Sequence, residues 1–338
     1  PFTTRPEILG TFGTVASTHW IASAVGMSIL ERGGNAFDAA VATGFALQIV
    51  EPHLNGPGGD LPAIVYSAAT GKTEVICGQG TAPAGATLEH YRAEGLSIIP
   101  GNGLLATVIP GAFDAWMLML RDYGTMSVRE VLEPAIHYAA EGHPTLARVS
   151  ATIKSLASFF ETEWPTSYET WLPGGAAPEP LTLFRNPVLA DTWRRIVAEA
   201  EAAGGREAGI EAARNSFYRG FVAEAIVDYL GSAEVMDGSG ERHRGVLTAD
   251  DLASWQAHVE APQTYDYEGW TVAKTGPWGQ GPVLLQSLAL LKGFDLKSLD
   301  TESADFVHVV AEAMKLAYAD RDIYYGDPLF GEVPIDQL

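Results

Sequence analysis

The segment ERGGNAFDAAVATGFALQIV, residues 31–50, decides the fold of this chain. Its double glycine ends one helix, because glycine reaches backbone angles that other residues avoid. Asn35 then caps a second helix, and Asp38 three residues later provides a variant of the capping box at the positive helix end. Residues 36–50 are apolar on almost every side, which predicts a buried helix that packs closely against other elements.

Helices and strands are both predicted around this segment. Residues 18–32 carry apolar side chains at helical spacing. Residues 62–68 and 73–78 read as two strands of a hairpin that turns around Thr70-Gly71. Further helical patterns cover residues 111–121, 127–141, 190–231, 248–256, 282–292 and 302–319, and strand patterns fall within 263–275.

Two segments lack such patterns. Residues 155–187 are rich in aromatic residues, proline and glycine without a clean period, which predicts irregular surface structure. Residues 232–246 are polar and contain glycine, which predicts a mobile loop. No internal repeat or clear linker divides residues 1–338, so we expect a single domain of layered α/β or α+β type.

Composition narrows the classes of partner. The chain has 338 residues, 47% of them hydrophobic, which is enough for a substantial core. Its formal net charge of −21 repels phosphate backbones and anionic lipid, so we expect no nucleic acid and no membrane partner. No apolar run reaches transmembrane length. The N-terminus, PFTTRPEILGTFG, lacks a signal-peptide pattern, which favours a cytoplasmic location over a periplasmic or secreted one.

The sequence contains no self-contained catalytic set. The single cysteine, Cys77, lies in a strand-like run and is expected to be a buried, inert thiol. The eight histidines show no metal-ligand spacing, and neither an HExxH nor a G-x-S-x-G motif occurs, so no metal and no cofactor is expected. The run Gly101-x-Gly103-x-x-Ala106 follows no clear strand and is treated as a chance match to a dinucleotide fingerprint.

Two glycine-rich loops are candidate walls of a binding pocket. The first is Asn55-Gly56-Pro57-Gly58-Gly59-Asp60, between the buried helix and a strand. The second is Pro277-Trp278-Gly279-Gln280-Gly281, just before a helix. Glycine allows a backbone to approach a ligand and to turn its N–H groups toward it. A simple turn without a ligand accounts for either loop equally well.

Several motifs, in this order and spacing, resemble the large subunit of the γ-glutamyltransferases. These motifs are ERGGNAFDAA at 31–40, EPH at 51–53, TAPA at 81–84, VIPGA at 108–112, YGTM at 123–126, LTADDL at 247–252, YEGW at 267–270 and AEAMKLAYADRDIYYGDP at 311–328. Each motif alone is weak, whereas the ordered set is specific.

The resemblance implies both a fold and a source for the missing nucleophile. Members of the family are made as precursors that cleave themselves into a large and a small subunit. The new N-terminal threonine of the small subunit is the nucleophile, and its own α-amine can act as the base. We therefore expect an α+β fold, a four-layer αββα N-terminal-nucleophile hydrolase sandwich completed by the small-subunit chain, with no catalytic residue in residues 1–338. The resemblance leaves open whether two such heterodimers pair.

One departure from the family pattern concerns the substrate. In the transferases, the arginine of an Arg-Glu-x-Ala-Pro pattern binds the α-carboxylate of the γ-glutamyl group. Here the corresponding positions hold Gln79 and Gly80. The neutral amide of glutamine thus replaces the charged guanidinium of arginine, which can bind a carboxylate with two hydrogen bonds. Because charge-assisted hydrogen bonds are worth roughly 1.5–3 kcal/mol, we expect γ-glutamyl binding to be weaker. Arg92 is a nearby replacement in sequence, although a solvated or structural role accounts for it more simply.

The two glycine-rich loops also depart from the transferase pattern. The first resembles the branch that includes oxamate amidohydrolase and the cephalosporin-acylase-like proteins. In the second, Trp278 and Gln280 differ from the serine-rich pair that the resemblance leads us to expect. The residues expected to bind the substrate are Gln79, Asn55, Gly58, Gly59, Trp278 and Gln280.

Three hypotheses follow. The first is an amidohydrolase that acts on a small-molecule amide with an acyl group other than a γ-glutamyl donor. The second is a true γ-glutamyl hydrolase or transferase that acts on glutathione, which requires a replacement cation in the pocket. The third is a non-catalytic binding protein of the same fold. The sequence itself does not decide between hydrolysis and acyl transfer.

Overall fold

The structure is a computed structural model and describes residues 7–338. The first six residues, which belong to the segment where no signal peptide is recognised, lie outside the described residues. The described chain forms two compact units. One comprises Ala82–Trp255 and the described residues up to Gly59, and the other comprises Asp60–Thr81 and Gln256–Leu338. That residues 1–338 act as one domain stays a prediction.

The chain alternates helices with short antiparallel sheets. The helices are α1 (Trp20–Glu31), α2 (Ala36–Val50), α3 (Leu88–Ala93), α4 (Ala112–Tyr123), α5 (Val128–Glu141), α6 (Ala147–Glu163), α7 (Pro165–Trp171), α8 (Pro187–Ala202), α9 (Arg206–Tyr218), α10 (Phe221–Ser232), α11 (Ala249–Ser254), α12 (Gly281–Leu291) and α13 (Ala304–Tyr324). The strands are β1 (Leu61–Ser67), β2 (Lys72–Gly78), β3 (His143–Pro144), β4 (Leu183–Phe184), β5 (Val235–Met236), β6 (Arg242–His243), β7 (His258–Glu260), β8 (Gln263–Tyr267) and β9 (Trp270–Lys274).

The predicted capping box at the start of α2 is confirmed. The Asn35 side chain accepts a hydrogen bond from the Asp38 amide at 3.0 Å, and the Asp38 carboxylate accepts one from the Asn35 amide at 2.9 Å. The same carboxylate accepts from the amides of Thr125 at 2.8 Å and Met126 at 3.0 Å, just before α5. Asp38 is fully buried, so one paired carboxylate both starts α2 and fixes it to a second helix.

The core of the first unit is aromatic and lies against α2, which confirms the prediction of a buried helix. Phe45 of α2 contacts Phe113 of α4 and Trp193 of α8, with ring centroids 5.9 and 5.7 Å apart. Phe113 also stacks on Phe217 of α9 at 4.5 Å. These rings are almost completely buried, and such pairs contribute beyond the area that they bury.

The prediction of irregular structure at residues 155–187 is wrong. Most of α6, all of α7 and the short strand β4 fall in or overlap this segment. A local apolar cluster holds α6 and α7 together, with buried side chains at Val149, Ile153, Phe160 and Leu172. Many half-buried aromatic side chains lie beside this cluster and blur the helical period in the sequence.

The loop predicted at residues 232–246 contains a small hairpin formed by β5 and β6. The Asp237 carboxylate lies at its centre, 2.7 Å from Nδ1 of His243. It also accepts a hydrogen bond from the Ser239 amide at 2.9 Å. Asp237 is only 5% exposed, so paired polar groups order a segment whose polarity alone predicts a loop.

The second unit combines strands with two helices. β1, β2 and β7 form an antiparallel sheet, and β8 pairs with β9. The predicted hairpin of β1 and β2 is confirmed, with Gly71 at a φ of 66° in its turn. The α+β class is thereby confirmed. Within residues 7–338 we find no helix with both the length and the apolar character needed to cross a membrane.

Candidate functional site

A cleft of about 570 Å³ lies in the second unit, where strand and helix ends meet. In the antiparallel register, Leu61 pairs with Gly78. Asp60, just before β1, and Gln79, just after β2, therefore lie at the same end of the sheet. The loop between β9 and α12 and the C-terminal end of α13 complete the cleft. Its lining residues are Asp60, Pro62, Gln79, Thr275, Pro277, Trp278, Gly279, Gln280, Arg321, Tyr325 and Gly326.

Trp278 is fixed in this cleft by a hydrogen bond. Its Nε1–H donates to Oε1 of Glu260 at 2.7 Å, and Glu260 ends β7. A Cβ added to Gly276 would lie 3.0 Å from that Nε1 and 3.1 Å from the same Glu260 oxygen. The glycine therefore makes room for the bond, and the indole becomes a positioned wall of the cleft.

Gln280 faces the only arginine among the lining residues. Its Oε1 accepts a hydrogen bond from Nη1 of Arg321 at 3.0 Å. Two further N–H groups of Arg321 donate to its neighbour, with Nε and Nη2 at 2.9 and 2.6 Å from Oδ1 of Asp322. The guanidinium also lies over the ring of Tyr318, 4.6 Å from the centroid. Three of the five N–H groups of Arg321 thus have acceptors within this chain, and one of these acceptors is the Asp322 carboxylate.

Tyr325 lines the cleft, and no described protein group hydrogen-bonds its buried hydroxyl. Burial raises the pKa of this phenol, and the charge of Asp320 raises it further. Tyr325 is therefore a neutral donor at pH 7. A buried hydroxyl without a partner is costly, which makes it available to an acceptor on a bound molecule.

The cysteine beside this cleft is not a nucleophile. Cys77 is 4% exposed within β2, and burial raises the pKa of its thiol to about 11, with the charges of Glu260 and Asp327 acting in the same direction. The thiolate is the reactive form, so this thiol is inert at neutral pH. This confirms the prediction for Cys77. Among residues 7–338, no group of three His, Cys, Asp or Glu side chains has the arrangement of a metal site.

Three of the six predicted substrate-binding residues meet in this cleft. They are Gln79, Trp278 and Gln280. The other three, Asn55, Gly58 and Gly59, belong to the first unit and are exposed.

The turn that carries these three residues is anchored within the first unit. The Gly59 amide donates to the Gly56 carbonyl at 3.0 Å. The Gly59 carbonyl accepts from the amides of Gly111 and Ala112 at the start of α4, at 3.0 and 2.9 Å. Substrate contact by Asn55, Gly58 and Gly59 stays a prediction.

Sequence reasoning missed two residues of the cleft, Arg321 and Tyr325. Both lie in the AEAMKLAYADRDIYYGDP motif, which carries part of the family resemblance. The candidate cation from sequence was Arg92, which lies exposed on α3 and is not a lining residue of the cleft. The sequence signal for this cation is an arginine in the last turn of a helix, just before the Tyr-Tyr-Gly-Asp-Pro segment at which the helix ends.

Comparisons with known proteins agree with this architecture. The family model described as Gamma-glutamyltranspeptidase matches residues 22–338. The glutathione hydrolase-like YwrD proenzyme of Bacillus subtilis (strain 168) is 33% identical, over 98% of this chain and 58% of its own length. The oxamate amidohydrolase proenzyme of Klebsiella pneumoniae is 32% identical over the same shares, 98% and 58%.

Solved structures give the same result. The structure of LmbA2991HD has a TM-score of 0.94 and 55% identity, over 99% of this chain and 57% of that one. The cephalosporin acylase from Bacillus halodurans has a TM-score of 0.86 and 33% identity, over 100% and 59%. This chain therefore spans little more than half the length of these relatives. The resemblance seen in the motifs is confirmed, including its acylase and amidohydrolase branch, and the chain belongs to the γ-glutamyltranspeptidase family.

Proposed function

We propose that this chain is the large subunit of an N-terminal-nucleophile amidohydrolase whose substrate carries an acyl group other than γ-glutamyl. The observation that carries the proposal is Gln79 in the lining of the cleft, at the position where the family resemblance leads us to expect an arginine. The one arginine among the lining residues, Arg321, already donates to Gln280 and Asp322. The Asp322 carboxylate already pairs with this charge, which weakens the attraction of Arg321 for a substrate carboxylate.

The proposed chemistry needs a second chain. The N-terminal threonine hydroxyl of the small subunit attacks the amide carbonyl while the threonine α-amine takes up the hydroxyl proton. The tetrahedral intermediate collapses as the leaving amine accepts a proton, and an ester to the threonine remains. Water then attacks this ester and releases the acid. Gln79 and Tyr325 hydrogen-bond the uncharged part of the acyl group, and the Trp278 indole packs against it.

Two features of this chain support the small-subunit partner. A Cβ at Gly56 or Gly58 would meet no atom within 4 Å, so no close contact inside this chain requires glycine there. On α13, Val307, Leu316 and Ile323 are 58%, 58% and 71% exposed, which is unusual for apolar residues of one helix. In our proposal, a small subunit cleaved from the same precursor packs against the turn at Gly56 and Gly58 and against the exposed apolar residues of α13. Pairing of two such heterodimers stays a prediction.

Steady-state kinetics on the processed, full-length protein tests the proposed substrate. The panel consists of γ-glutamyl anilide and anilides of simple linear acids without an α-carboxylate. We expect at least one simple anilide to have a higher kcat/KM than γ-glutamyl anilide. Efficient turnover restricted to γ-glutamyl anilide would overturn the altered-substrate part of the proposal.

One observation favours a second candidate, a true γ-glutamyl hydrolase or transferase. Arg321 lines the same cleft as Gln79 and is the replacement cation that this function requires. If Arg321 binds the α-carboxylate, then Arg321→Gln removes γ-glutamyl turnover and spares the simple anilides. If Arg321 only orders Gln280 and the end of α13, the same change lowers all activities together.

A non-catalytic role is tested without kinetics. An intact-mass measurement on the full-length product shows whether it is cleaved and which residue begins the smaller fragment. Cleavage before a threonine supports the enzyme. An uncleaved product with another residue at that place supports a binding protein of the same fold.

A further inference from the structure

A second cavity lies in the first unit, against α6 and α7. Its volume is about 210 Å³, whereas an engineered apolar cavity of roughly 150 Å³ is enough to bind benzene. Val149, Ile153 and Phe160 of α6 form one wall, and Trp171 at the end of α7 forms another. Leu156, at 38%, is the most exposed of the lining side chains and marks the opening. The cavity therefore has the size and the aromatic walls that suit one ring.

Two side chains, His53 and Thr152, interrupt this apolar lining, and the imidazole is the one with unpaired polar atoms. His53 reaches the cavity from the segment that follows α2, and both of its ring nitrogens are hidden from solvent. Within the described chain, no protein group hydrogen-bonds either nitrogen. A neutral imidazole offers one donor and one acceptor, and a buried polar group without a partner is costly. His53 therefore favours a ligand that brings a hydrogen-bonding group into the cavity.

We propose that this cavity binds an uncharged, single-ring aromatic molecule with one hydroxyl or carbonyl group. The ring packs between Phe160 and Trp171, and the polar group hydrogen-bonds His53. No Asp, Glu, Lys or Arg side chain lines the cavity, so an ionised ligand would lose its hydration without gaining a permanently charged partner. His53 precedes the glycine-rich loop, which begins at Asn55, by two residues. The proposal does not depend on the amide chemistry at the other cleft.

Fluorine NMR titration of the processed, full-length protein measures this binding directly. The probes are 4-fluorophenol, fluorobenzene and 4-fluorobenzoate. We expect saturable binding of the first two, with the phenol tighter by roughly tenfold, as one ordinary hydrogen bond provides. The benzoate should not bind. Absence of saturable phenol binding, or equal affinities for the phenol and fluorobenzene, would overturn the proposal.

Variants locate the binding in the cavity. His53→Phe should keep fluorobenzene binding and lose the preference for the phenol. Leu156→Trp places a larger side chain at the opening, on an exposed position that leaves the fold intact, and should weaken both probes at least tenfold. Lys154→Ala, on the exposed face of the same helix, is the matched control and should change neither affinity. Unchanged binding in Leu156→Trp would place the probes elsewhere and contradict the proposal.

Discussion

The polar groups around Asp114 in the core of the first unit and the Tyr325 hydroxyl in the cleft of the second unit differ in whether they have hydrogen-bond partners. In the core, the buried Asp114 carboxylate accepts hydrogen bonds from Nε and Nη2 of Arg214 at 2.5 and 3.0 Å. The Tyr218 hydroxyl accepts a hydrogen bond from the Asp114 amide at 3.1 Å. In the cleft, the Tyr325 hydroxyl has no described protein partner. Gln79 is exposed beside it. The paired groups around Asp114 hold the fold together, whereas the unpaired Tyr325 hydroxyl is one that a substrate can use.

The largest effect is expected in the core. Phe113→Ala removes a ring that contacts three other aromatic rings, so the free energy of unfolding should fall by roughly 3–5 kcal/mol. Urea denaturation of the processed protein measures this change. Ile64→Ala, at a side chain that is 43% exposed, is the control and should change stability far less. Equal losses in the two variants would show that the aromatic cluster is not the core we describe.

The next effect concerns the substrate and should leave stability unchanged. Gln79→Arg restores a charged fork in the cleft, and one charge-assisted hydrogen bond is worth roughly 1.5–3 kcal/mol. The ratio of kcat/KM for γ-glutamyl anilide to that for 4-aminobutanoyl anilide, which lacks only the α-carboxylate, should rise by about 10- to 100-fold. Gln79→Met is the uncharged control. A ratio that stays constant in Gln79→Arg would separate this position from acyl recognition.

A smaller effect is expected at the wall of the cleft. Trp278→Phe keeps an aromatic ring and removes the Nε1–H that donates to Glu260, a loss of about 0.5–1.5 kcal/mol. Because the ring loses its fixed position, KM should rise severalfold with little change in kcat. Trp270→Phe, at a side chain that is 77% exposed, should leave both constants as they are. A fall in kcat alone would contradict a role limited to binding.

The smallest effect is a gradual dependence of stability on pH from the first unit. Burial lowers the pKa of His19 and of His143, so the folded state resists protonation more than the unfolded state does. Stability is then complete above the unfolded pKa of about 6.5 and falls as the pH drops below it. Urea midpoints at pH 7.5, 6.5 and 5.5 measure this slope, and His143→Phe should flatten it. Greater stability at pH 5.5 than at pH 7.5 would contradict the assignment.

The same two regions show what could be predicted from the sequence. The start of α2 was predicted to the residue, because Asn35 and Asp38 form a local capping box that needs no distant contact. Gln79, Trp278 and Gln280 were assigned to one site from the family resemblance, and all three line one cleft. Local signals such as the capping box carry most of the predicted fold.

The missed features depend on contacts distant in sequence. Arg321 reaches the cleft from the last turn of a long helix, and its bond to Gln280 spans 41 residues of sequence. Helices α6 and α7 went unrecognised because their half-buried aromatic residues belong to a local cluster that only the folded chain defines. The unpaired ring nitrogens of His53 are likewise a property of the folded chain, which its flanking residues do not predict.

A competition experiment on the processed wild-type protein measures whether the cleft favours an α-carboxylate. Equimolar γ-glutamyl anilide and 4-aminobutanoyl anilide are mixed in one reaction, and mass spectrometry follows the loss of each, which gives the ratio of their kcat/KM values. Because Gln79 offers no charge to the α-carboxylate, we predict that the enzyme does not favour the γ-glutamyl compound. A preference of tenfold or more for γ-glutamyl anilide would contradict the claim that this cleft binds a different acyl group.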